Sequence, residues 1–257
     1  MHAPVDKPER RQNAFRHKLA ILNARGISIP KDARILDYGC GAGAMVSALV
    51  AEGYVNSFGF DVDNYLDPGA DPARFRFSAD GSLPYEDSSF DLVLSDQVFE
   101  HVRDQELAWR ELARVMKPGA VSIHMFPPRW RIIEPHMYVP FGSMIGSEGY
   151  FYVWACLGIR NEFQKGMSAR ETARKNAEFF RTGINYISSV EFRRHWSRAG
   201  LEGSFCEPEY LATSDRRLFR RLAPIARALP PVRVALREFW AKNTIVTKPA
   251  KAAASAA

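Results

Sequence analysis

Residues 33–45 read ARILDYGCGAGAM, a short apolar run followed by glycines at 39, 41 and 43 and then by small and apolar residues. That order predicts a strand, a tight turn and a helix. Asp37 stands two residues ahead of the first glycine. A phosphate-binding turn works through backbone N–H groups at the positive end of a helix, so a carboxylate there is a poor neighbour for a pyrophosphate. A ligand carrying an ammonium group suits it better. Gly39, Gly41 and Ala44 do satisfy the loose GxGxx(G/A) dinucleotide pattern. A plain tight turn explains them as well, and only the sequence downstream can separate these readings.

Downstream, short apolar strands alternate with helices. VNSFGFDVD reads as a second strand reaching Asp61, RFRFSADG as a third reaching Asp80, FDLVLSD as a fourth and AVSIHMF as a fifth. GAMVSALVAEG, closed by Gly53, and DQELAWRELARVMKPG, stopped by Pro118 and Gly119, read as helices. Such alternation with short connections predicts a parallel sheet covered on both faces, with ligands beyond the carboxyl ends of its strands. The expected fold is a Rossmann-like, doubly wound, seven-stranded and mostly parallel sheet, finished by an antiparallel hairpin, with a helical insertion after the fifth strand.

Residues 1–32 read as a polar leader and a helix with Phe15, Leu19 and Leu22 at helical spacing, and 33–126 as the ligand-binding core. The alternation fails over 127–200, which is expected to form a loop and a helical lid, with Ser188 and Glu191 as a capping box. Residues 201–247 hold the last strands and a basic amphipathic segment, and 248–257 read as a disordered tail.

Composition narrows the setting. A chain of 257 residues, 46% hydrophobic and 25% charged, fits one globular domain with embellishments. The net charge of +6 gathers toward the two ends and forms no interleaved stripe, so no nucleic-acid partner is expected. Cys40, Cys156 and Cys206 are odd in number and widely spaced, which argues for a reducing compartment and against disulfides or zinc. The N-terminus has no apolar run behind its charges, and the most apolar window, residues 139–159, is broken by Ser147, Glu148 and glycines. A cytoplasmic protein is expected. The arginine-rich stretch 216–237 could also rest on an anionic membrane surface, placing the protein at the inner face of the membrane.

With ILDYGCGAG, GFDVD, SADGSLPYEDSSFDLVLS, EHV and ELARVMKPGA in that order, residues 34–126 resemble the class I S-adenosylmethionine-dependent methyltransferases, the broad group with LDxGCGxG after the first strand. The resemblance implies S-adenosylmethionine as cofactor. Asp37 would help hold its ammonium, and the backbone around Gly39, Cys40, Gly41 and Gly43 would lie against it. Asp61, with Val62 beside it, would take the ribose hydroxyls and Asp80, with Gly81, the adenine amino group. Ser95 would lie near the methionyl end. Asp63 and Asp96 read equally well as helix N-caps and are left outside the site.

Methyl transfer from a sulfonium is an in-line displacement in which alignment supplies much of the rate, and a base is needed only for an acceptor of high pKa. His101 in DQVFEHVRD is the expected catalytic base. Relatives that bind a metal here carry Glu-x-x-Glu-His; this chain has Gln97 in place of the first glutamate, so no metal is expected. Arg129, Glu134 and His136 follow the fifth strand and are candidates for acceptor binding, Glu134 with His136 also as an alternative base pair. The leading expectation is O-methylation of a small or lipid-linked acceptor, sugar-bearing ones included. An N- or C-methyltransferase of a small metabolite and a non-catalytic interaction module are the rivals.

Overall fold

The computed structural model of the chain describes residues 8–250. The first seven residues of the expected leader and residues 251–257 of the expected tail lie outside them. Seven strands, β1 (Ile35–Tyr38), β2 (Ser57–Asp61), β3 (Phe75–Phe77), β4 (Phe90–Asp96), β5 (Met116–Phe126), β6 (Glu202–Phe205) and β7 (Lys242–Thr247), form one sheet in the order β3-β2-β1-β4-β5-β7-β6. β1 to β5 are parallel, and β7 runs antiparallel to both β5 and β6. The order reverses between β1 and β4, the point at which such sheets open a crevice for ligands.

The period of two along each strand sorts the core. Ile35, Leu92, Leu94, Val121 and Ile123 face a layer made by α1 (Pro8–Ala24) and α2 (Ala44–Ala51), which supply Phe15, Leu22, Met45 and Leu49. Leu36, Val93, Phe126 and Val246 face the opposite layer, made by α3 (Gln105–Val115) and α6 (Ser189–Arg198). There Phe99, Trp109, Phe192 and Trp196 are all buried, with ring centroids of Trp109 at 4.9 Å from Phe99 and 5.1 Å from Phe192. Truncating a buried aromatic of this kind costs about 3–5 kcal/mol.

Three expectations need correction. The helix DQELAWRELARVMKPG ends at Val115, before its Pro-Gly stop, and β5 already begins at Met116. Lys117 precedes proline, and a residue there is pushed out of the helical region toward extended backbone. The antiparallel finish is not a hairpin, because α7 (Glu207–Ala212), α8 (Arg217–Ala228) and α9 (Pro230–Phe239) intervene between β6 and β7. Finally, α6 belongs to the sheet layer through Phe192 and Trp196, although the lid was expected to run to residue 200. Its capping box, Ser188 with Glu191, is formed.

What stands apart from the sheet is a helical pair, α4 (Glu148–Cys156) and α5 (Ala169–Thr182), which with the preceding loop encloses a small core of Met137, Val139, Phe151, Ala173 and Ala177. Most of the aromatic-rich window therefore packs on itself.

Candidate active site

A cavity of about 450 Å³ opens beyond the carboxyl ends of β1, β2 and β4, lined among others by Gly39, Asp61, Val62, Asp80, Gly81 and His101. The β1–α2 turn forms its floor. Gly39 has φ +80°, and a Cβ built on it would lie 2.3 Å from Cγ2 of Val98. Glycine is therefore required both by the turn and by the side chain packed over it.

The donors of this turn are spent internally. Gly39 and Cys40 N–H both donate to Phe60 O, Gly43 N–H donates to Cys40 O, and Gly41 N–H donates to Asp61 Oδ2 at 2.7 Å. Four N–H groups that a pyrophosphate would need are thus committed. Asp61 also accepts from Val62 N–H at 2.8 Å and from the Asp63 backbone, which leaves about one of its four acceptor sites open. Burial outweighs those bonds and raises its pKa.

Asp80 accepts three hydrogen bonds on one oxygen, from Ser78 Oγ, Ser82 N–H and Ser82 Oγ, and these hold its pKa down at about 2. It is a permanent anion whose second oxygen makes no hydrogen bond among the described residues. That suits an exocyclic amine.

Asp37 lies deeper. It is 4% exposed, and burial raises its pKa to about 7, against the pull of Arg11 and Lys18. Both cations come from α1, a helix to which the sequence reading assigned no role. Lys18 is completely buried, makes no hydrogen bond at Nζ and stands 3.5 Å from Asp96 Oδ2, while Arg11 Nη1 is 3.4 Å from the same oxygen. Asp96 is therefore an ion-pair partner and not a helix cap; Asp63 caps no helix either, its carboxylate accepting from Asn64 N–H. The clue in the sequence was Lys18 itself, which falls on the apolar stripe of Phe15, Leu19 and Leu22.

Two histidines meet at the mouth of the cleft, their ring centroids 5.0 Å apart. His101 Nδ1 lies 2.6 Å from Gly183 O, a carbonyl just past the end of α5 that can only accept, so Nδ1 carries the proton and Nε2 keeps its lone pair. Burial lowers the pKa of His101, which favours the neutral ring. Asn185 Nδ2 donates to Val102 O, and Arg103 donates to Arg181 O and Thr182 O, so the end of α5 is fastened to the rim that follows β4.

His136 Nδ1 donates to Glu134 Oε1 at 2.7 Å. Glu134 is fully buried and would be neutral by desolvation alone, but His136, Met137 N–H and Tyr186 Oη overcome that cost and lower its pKa. Glu100 has no such help. Both its oxygens are buried without a hydrogen bond, one lies 3.8 Å from His101 Nε2, and burial pushes its pKa well above the usual range.

The structure thus joins His101, His136 and Glu134, with Glu100 and Tyr186 as additions that sequence spacing could not reveal. It does not bring every candidate to the cleft. Ser95 is buried, with Oγ 2.8 Å from His124 Nδ1. Arg129 is exposed over the Trp130 ring, and Glu134 is enclosed, so it orients His136 instead of facing a ligand. Cys40 is a small buried residue whose thiol is kept protonated by burial.

Residues 36–123 match the methyltransferase domain family, the stretch that carries both the glycine turn and the two acids after it. That stretch is a class I methyltransferase domain. Over 103 residues the chain is 29% identical to the 2-methyl-6-phytyl-1,4-hydroquinone methyltransferase of Synechocystis, covering 37% of this chain and 32% of that one. Over 104 residues it is 29% identical to O-methyltransferase rstn1 of Aspergillus nomiae, covering 37% and 46%. The matched stretch is thus less than half the length of either relative. The fold is shared along most of the chain with an S-adenosylmethionine dependent methyltransferase from Mesorhizobium loti, at a TM-score of 0.52 and 13% identity over 94% of this chain and 100% of the other.

The methyltransferase cleft fits S-adenosylmethionine and not a dinucleotide. The turn has few free donors for phosphate, Asp80 holds an unshared anionic oxygen, and Asp37, at the end of β1, lies within the electrostatic reach of Arg11 and Lys18.

Proposed function

We propose that the chain is an S-adenosylmethionine-dependent O-methyltransferase acting on a hydroxyl of a small or lipid-linked compound, sugar-bearing acceptors included. One observation supports oxygen over other acceptors. His101, which lines the cleft, donates its Nδ1–H to Gly183 O and so presents an unprotonated Nε2 there, which is where an alcohol needs a base.

When bound, the cofactor supplies a methyl group activated by its sulfonium. Asp61 and Asp80 hold the nucleoside end; Asp37, Arg11 and Lys18 hold the amino-acid end. His101 Nε2 accepts the hydroxyl proton, and Glu134 favours the imidazolium that results. The side chain of His101 is 39% exposed, so the proton can pass on to water. Glu100, protonated by burial, is a donor and not a competing base.

His101→Ala is expected to lower kcat on hydroxyl acceptors by roughly 10²–10⁴-fold with cofactor affinity unchanged, read by steady-state kinetics and calorimetry. In the wild type kcat should fall with acid, on a limb below the ordinary histidine value. A loss of only a few fold, with amines or carbon acids preferred as acceptors, would replace O-methylation by N- or C-methylation. Activity should survive EDTA. Loss in EDTA with recovery in Mg²⁺ or Mn²⁺ would make Glu100, His101 and His136, whose ligand atoms lie within 4.8 Å of one another, a cation site instead of a proton-handling group.

A further inference from the structure

The α8–α9 segment carries seven arginines and a single acid, Glu238, between residues 216 and 240. An ordinary surface helix turns its large apolar residues inward. In α8 the buried residues are Ala223 and Ala226, whereas Leu218, Ile225 and Leu229 are 66%, 45% and 50% exposed. Their spacing of seven and four places all three on one ridge. α9 continues the exposure with Val234 and Phe239, at 50% and 53%, and Trp240 follows at 47%.

Arg217 and Arg221 are exposed beside this ridge and make no ion pair among the described residues. Arg220 and Arg237 differ, being tied to the carbonyls of Ser214 and Asp215 and to Glu207. A face of large apolar residues edged by free guanidinium groups remains.

We propose that this face lies flat on an anionic lipid bilayer. Charge selects that occupant. A second copy of the chain would set arginine against arginine across a two-fold axis, and a nucleic acid would leave the leucines and the tryptophan in water. A bilayer of anionic lipid takes the apolar ridge into its acyl boundary and the arginines among its phosphates. No helix among the described residues is long and apolar enough to cross a membrane, so contact is in the plane.

The test is co-sedimentation of the full chain with vesicles of phosphatidylcholine alone and of phosphatidylcholine with phosphatidylglycerol. The wild type should bind the anionic vesicles, more weakly at high salt. The triple variant Leu218→Ser, Ile225→Ser, Leu229→Ser removes only exposed side chains; it should keep its melting temperature and lose binding by about tenfold or more. Arg217→Glu with Arg221→Glu should weaken binding by at least fivefold per site and reduce its salt dependence. Absence of wild-type binding to anionic vesicles, or wild-type binding by the serine variant, overturns the proposal. So does a wild-type dimer in light scattering that the serine variant converts to monomer. None of these outcomes depends on methyl transfer.

Discussion

Asp37 is the residue whose chemistry was most exposed by its position in the sequence, and its burial adds a pH dependence that the sequence could not show. Its pKa in the fold is about 7 because desolvation disfavours the anion. The anion is the form that meets an ammonium, so S-adenosylmethionine affinity should fall as pH drops through 7. At pH 6 the loss is about tenfold relative to pH 8. Binding at pH 6 should also release a proton, seen as a buffer-dependent heat in calorimetry. Asp37→Asn should bind weakly at both pH values, with neither effect; a pH-dependent affinity surviving in that variant would assign the titration to another group. The raised value also means that Asp37 opposes folding increasingly as pH rises from 3.8 to about 7, a stability cost to the apo fold on the order of 4 kcal/mol above that range. Asp61 and Asp80 were legible in the same way, as acids closing successive strands. Lys18 and Glu100 were not, because what matters about each is its burial against partners far along the chain.

Strands and helices were readable where period and punctuation agreed, and the β1–α2 turn shows how strictly. Gly39→Ala would force a left-handed backbone on a residue with a Cβ and drive that carbon to 2.3 Å from Val98 Cγ2. The strain and the clash together should cost about 1–3 kcal/mol in chemical denaturation and abolish cofactor binding. Adding Val98→Ala removes the clash and leaves the strain, so the double variant should recover part of the stability. If it recovers none, backbone conformation alone fixes the glycine. Val98 stands two positions before Glu100 of EHV, so the segment after β4 packs directly on the glycine turn. The insertion was legible as helices but not in its docking. That Gly183, past the end of α5, meets His101 follows from a contact between segments 82 residues apart, which no local pattern encodes. The absent hairpin has a similar origin: β6 and β7 are neighbours through long-range pairing, and the three helices between them leave no turn signal to read.

At the scale of the molecule, α1 closes one face of the sheet with Phe15, Ile21 and Leu22 and also delivers Lys18 to the ligand end of β1 and β4. A helix that serves both the core and the site couples ligand binding to global stability. S-adenosylmethionine or S-adenosylhomocysteine at a hundred times Kd should add about 2.7 kcal/mol and raise the melting temperature by roughly 5–10 °C, whereas NAD should leave it unchanged. Lys18→Met separates the two roles. The lysine is a fully buried ammonium with no hydrogen bond, near an Asp96 that retains Arg11, so an apolar side chain of similar length should leave the apo protein as stable or more so. If Lys18 meets the cofactor's carboxylate as proposed above, the ligand-induced shift should shrink. A variant that melts several degrees lower without ligand, yet shows the full shift with it, would make Lys18 a structural cation and return the amino-acid end of the site to Asp37 and Arg11 alone.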